Sequence, residues 1–155
     1  MSNLTTNFIH IALISLTIIV TQNTTSMDTL YQKQSNFDFK TTERNLKKEL
    51  ELQHIVIFSE TDHSKNASAV TINMKPSKVF IIGNAKAGTP LMLEDPLIAI
   101  ELPLKILLVE DDQKKVWVCY KNLEPLKNTY TISKSAEQLT LIDTKMHHII
   151  DTICK

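Results

Sequence analysis

The sequence predicts an α+β domain, a largely antiparallel sheet covered by helices in the order β-α-β-β-β-α-β-β-α. Three observations carry that reading. Short apolar runs of strand length recur along the chain, and two pairs of them are separated by polar turns short enough for hairpins. Two other stretches place their apolar residues at helical spacing. The 155 residues are 43% apolar and 22% charged, a composition that builds one packed core and argues against disorder. A doubly wound α/β arrangement is disfavoured by the two tight hairpins, which join antiparallel strands.

Taken in order, Thr29–Ser35 reads as a first strand and Asp38 as a helix N-cap whose carboxylate accepts from free backbone donors. Phe39, Leu46 and Leu50 then share one helical face, with Arg44, Lys47, Lys48 and Glu49 opposite. Ile55–Glu60 is a strand, Thr61–Ser68 a polar turn and Ala69–Met74 the returning strand, ended by Pro76. Val79–Ile82 is continuously apolar, as a strand buried on both faces would be. Lys105–Glu110 and Lys115–Tyr120 flank Asp111–Lys114 as a hairpin. From Ser133 a last helix runs through Leu139, Ile142, Met146, Ile149, Ile150 and Ile153.

The folded domain is expected over residues 28–155, behind a segment with a different composition. No Lys, Arg, Asp or Glu precedes Asp28, and Phe8–Val20 is almost wholly apolar. As a helix this run spans about 20 Å, short of a bilayer core of about 30 Å. It resembles the apolar stretch of a secretory signal, so residues 1–27 read as a signal peptide or membrane anchor with a short linker. The expected location is therefore periplasmic, extracellular or membrane-tethered. Lys plus Arg equals Asp plus Glu at 17 each, and Arg44 is the only arginine, so no basic field favours nucleic acid. Cys119 and Cys154 form no disulfide framework and no metal spacing, leaving a single bridge or two buried thiols.

Both glycines of the chain fall in one segment, Ile82–Met92. Glycine is needed where φ is positive or where another group approaches the backbone closely. The segment leaves a strand through Gly83-Asn84 and is expected to enter a helix with Thr89 as N-cap and Pro90 at the first helical position. Free N–H groups there, with Lys86 in the same turn, would suit an anion. The spacing Gly83-x-x-x-x-Gly88 imitates a P-loop, but Thr89-Pro90 stands where Lys-[Ser/Thr] is required. The plainer alternative is a pair of glycines that shape a tight turn.

The stretch Gly83–Met92 (GNAKAGTPLM) is similar to the GNPKAGTPLM signature of the bacterial and archaeal family called domain of unknown function DUF302. The resemblance continues through Asp95-Pro96-Leu97, Glu101–Leu107, Val109-Glu110-Asp111 and Lys115–Tyr120, with Glu60-Thr61-Asp62-His63 upstream. It covers about Leu30 to Ile150. It implies a compact α+β domain, often dimeric, with no assigned activity or cofactor. Ala85 replaces the usual Pro, and His54 stands where a Gly usually closes the first helix in a left-handed conformation.

Asp62-His63 is the best acid–base pair, since a carboxylate can orient an imidazole and raise its pKa. A capped turn with a solvated His is the competing reading. Glu110-Asp111 end a strand and could face Lys86 or His63. His147 and His148 point about 100° apart on a helix, so they do not make a metal pair. These residues define the expected function: a small-ligand binding or interaction module, with an anionic molecule as one candidate ligand and Gly83, Asn84, Lys86, Gly88, Thr89, Glu110 and Asp111 around one pocket, no metal and no cofactor. The alternative is a hydrolase-like enzyme with His63 as general base, beside Asp62, and backbone donors near Gly88 holding an oxyanion.

Overall fold

The computed structural model describes residues 29–155, so the apolar segment and linker at 1–27 lie outside the described residues. Five strands form one sheet in the order β1-β5-β4-β3-β2, every pair antiparallel. They are β1 (Leu30–Gln34), β2 (Val56–Asp62), β3 (Ser77–Gly83), β4 (Leu104–Glu110) and β5 (Val116–Lys121). Four α-helices join them: α1 (Phe39–Leu52), α2 (His63–Ala69), α3 (Ala85–Glu94) and α4 (Ala136–Ile153).

One face of the sheet makes the core. Phe80 and Ile82 of β3, Ile106 and Leu108 of β4, and Val118 and Tyr120 of β5 alternate inward and are fully or almost fully buried. Leu46 and Leu50 of α1 and Leu139, Met146, Ile149 and Ile150 of α4 close over them. Each such side chain contributes about 1.5–3 kcal/mol by leaving water. One charge sits in this layer. Asp143 of α4 accepts from Tyr120 Oη at 2.9 Å and from the N–H groups of Leu123 and Glu124, tying α4 to the end of β5. Its removal would strand donors that cost about 1–3 kcal/mol each when unpaired.

Asp38 caps α1 as expected, accepting from Thr41 N at 2.7 Å, and His54 closes that helix with φ 55°. The β4–β5 hairpin and the last helix also match the sequence pattern. Two expectations fail. Ala69–Met74 is not a strand: Asp62 instead caps α2 by accepting from Lys65 N, and β2 pairs with β3. Val70, Ile72 and Met74 alternate like strand residues but remain exposed, and Thr71 takes φ 63°. The observed order is therefore β-α-β-α-β-α-β-β-α.

The second failure concerns the glycine segment. α3 begins at Ala85, with Asn84 as N-cap accepting from Lys86 N at 2.9 Å, so Thr89 and Pro90 lie inside the helix. The asparagine wins because its side chain reaches the second helical N–H five residues before Thr89 would act. Pro90 cannot donate to the Lys86 carbonyl, and α3 accepts that lost bond. Cys119 and Cys154 are both free and buried. Burial pushes both thiols up, Cys154 to about 11, which keeps them protonated near neutral pH.

Candidate functional site

β3 leaves the core at Gly83, and a cleft of about 650 Å³ opens there. Its floor is the end of β3 and its walls are the first turns of α3, the middle of α4 and the segment Leu102–Leu104. Neither glycine has a positive φ. Gly83 is closely approached by a neighbouring ring. The β2–β3 register shifts between Ile57 and Ser59, so Phe58 is the extra residue of a bulge and its ring is re-aimed. A Cβ at position 83 would lie 2.7 Å from Phe58 Cε2. Gly88 is less constrained, since a Cβ there would make ordinary contact with Leu102.

The cleft is mostly apolar. Phe58, Met92, Leu102, Ile142 and Met146 supply the walls, and Asn84, Thr89 and Gln138 add uncharged polar groups. Among the described residues, its charged lining consists of Lys86 and Lys145, with no carboxylate. Lys86 makes no ion pair among the described residues, and Lys145 Nζ donates to the Gln53 carbonyl at a long 3.3 Å. Other lysines differ. Lys33, Lys47, Lys78, Lys121 and Lys127 each meet a carboxylate at 3.0 Å or less.

The structure thus brings Gly83, Asn84, Lys86, Gly88 and Thr89 around one cavity. It does not bring Asp62, His63, Glu110 or Asp111 there. Asp62 is opposite Lys78, and Val109 opposite Ser77, at the far end of β3. Six residue steps of strand, about 20 Å, separate that end from Gly83. His63 is exposed as the first residue of α2. The enzyme arrangement of His63 with donors near Gly88 is therefore broken by the strand's length, and so is a pocket shared with Glu110-Asp111.

Two carboxylates at the far end, Asp62 and Asp111, serve the fold. Asp62 accepts from Lys65 N and Ser64 Oγ, and these bonds hold its pKa below the ordinary range. Asp111 accepts from Trp117 Nε1 at 2.9 Å and from the N–H groups of Lys115 and Gln113, which lower its pKa and brace the hairpin. No group of three or more His, Cys, Asp or Glu residues among the described residues is placed to hold a metal ion.

Phe58, Lys145 and Ile142 are cleft residues that the sequence pattern did not mark. Ile142 read as core and Lys145 had no distinguishing spacing. Only the lone Gly83 hinted that a ring would sit on the backbone, without saying whose.

The comparisons with known proteins agree with this architecture. The family model "Domain of unknown function DUF302" matches residues 31–153. A crystal structure of an uncharacterized conserved DUF302 protein from Bacillus stearothermophilus superposes with TM-score 0.74 at 12% identity, covering 82% of this chain and 98% of that one. At that identity the likeness concerns the fold alone. Among curated proteins, fluoride-specific ion channel FluC 1 of Brucella suis is 28% identical over 81 residues, 52% of this chain and 32% of that protein. FluC 2 of Brucella melitensis matches at 28% over 81 residues, 52% of this chain and 30% of its own length. The chain thus spans about a third of the length of these relatives. With the family model covering nearly all of the described residues and the same fold in a solved member, this chain belongs to the DUF302 family.

Proposed function

We propose that this protein is a small-ligand binding module whose ligand occupies the cleft beside Gly83. One observation carries the reading: a largely apolar cavity of about 650 Å³ with a few convergent polar groups, the size and make-up of a small-molecule site. The match to fluoride-specific channels supports a module rather than a complete activity, because it involves about a third of those proteins. No helix among the described residues is long and apolar enough to cross a membrane.

The test uses N-phenyl-1-naphthylamine, a neutral dye that brightens in apolar sites. It should bind the wild-type protein, and Ile142→Trp should abolish the signal by filling the cleft while urea unfolding still shows a cooperative fold. Absence of binding, or binding indifferent to Ile142→Trp, would overturn the reading. Export through the segment at 1–27 and assembly as a homodimer belong to the same proposal. N-terminal mass analysis of the protein expressed in a bacterial host, and light scattering against a chain mass of 17.6 kDa, test them.

A further inference from the structure

The cleft combines two features that are seldom useful together without a ligand that has both. Its walls are apolar and adaptable: Phe58 stands exposed at a bulge, and Met92 and Met146 are unbranched side chains of the kind that reshape around different surfaces. Its charge is of one sign. Lys86 and Lys145 line it with no carboxylate among the described residues to compete for them. The N-terminal turn of α3 opens into the same space, adding the partial positive charge of a helix start.

We infer that the cleft takes an amphipathic carboxylate, an apolar body carrying one anionic head that meets Lys86 and Lys145. This rests on the cleft being a ligand site and names the class it selects. A purely apolar molecule would crowd two lysines without giving them a partner, and a cationic amphiphile would be repelled. A phosphate head is less suited, because the only arginine, Arg44, belongs to α1 and does not line the cleft, so no bidentate fork is present. Lysines on flexible stems suit a single carboxylate whose position varies with the body it carries. Lys145 gives up only its long bond to the Gln53 carbonyl to reach it.

The experiment is displacement of bound N-phenyl-1-naphthylamine by decanoate, decan-1-ol and decylamine, which share a chain and differ in the head. Decanoate should displace the dye at a concentration about tenfold lower than decan-1-ol, the scale of one or two solvent-reachable charge pairs, with decylamine weakest. In Lys86→Gln/Lys145→Gln the dye should still bind, which shows that the fold is kept, and the advantage of decanoate should vanish. Decanoate no better than decan-1-ol on wild-type protein that binds the dye would overturn the inference and leave the cleft standing. A carboxylate advantage that survives both substitutions would also overturn it. Failure of the dye itself to bind would instead remove the ligand site on which the inference rests.

Discussion

At the Ser77 end of β3, Asp62 and Asp111 each accept several hydrogen bonds from their own turns. At the Gly83 end, Lys86 has no ion pair among the described residues and Lys145 reaches only a backbone carbonyl. Both ends carry polar residues in turns, and both looked like chemistry in the sequence. The difference is that the Asp62 and Asp111 carboxylates are already used by the fold, whereas Lys86 and Lys145 line an apolar cavity with their donors largely free. A charged turn residue becomes a site candidate only when its hydrogen-bonding capacity is left over.

That contrast can be broken most forcefully at the cleft. Met92→Trp, like Ile142→Trp, should weaken dye binding more than tenfold, because the added ring occupies the cavity from a partly buried position at the edge of the core. Fluorescence titration reads this. At the other end, Asp62→Ala should cost about 1 kcal/mol of stability by removing the cap of α2. Its dye affinity should be unchanged, and urea unfolding with a parallel titration checks both halves of that statement.

A pH experiment sharpens the same end. Hydrogen bonds from the Trp117 indole and the turn N–H groups lower the pKa of Asp111. A depressed carboxylate adds stability above its unfolded pKa of about 4 and loses it as pH falls through the lower folded value. Trp117 is the only tryptophan, so its emission should shift on acidification below about pH 4. In Asp111→Ala that acid step should be missing. The smallest effect belongs to His63→Ala. An exposed His with no site around it should change stability by less than about 0.5 kcal/mol and leave dye affinity untouched.

How much of this was legible depended on whether local chemistry or distant contacts decided each element. Leu46 and Leu50 on one helical face, capped by Asp38, and the hairpin around Asp111 were readable because both signals are short-range. Val70–Met74 misled because alternation alone does not make a strand. The Asp62 cap started a helix instead, and β2 found β3 as its partner. Thr89-Pro90 misled for a related reason: a good helix-start pair was pre-empted by Asn84 upstream. The glycine segment was visible as one wall of the site. Its other walls were not, since a bulge at Phe58 and the arrival of α4 from some sixty residues away leave no local trace.

The central claim is that ligand affinity belongs to the Gly83 end of β3 and not to its Ser77 end. Backbone amide chemical shifts recorded during a decanoate titration test it most directly. The account predicts saturating shifts at Asn84–Thr89, Phe58 and Ile142–Met146, with residues 62–64 and 110–113 still. Shifts concentrated at His63 and Asp111, with Asn84–Thr89 unmoved, would contradict it.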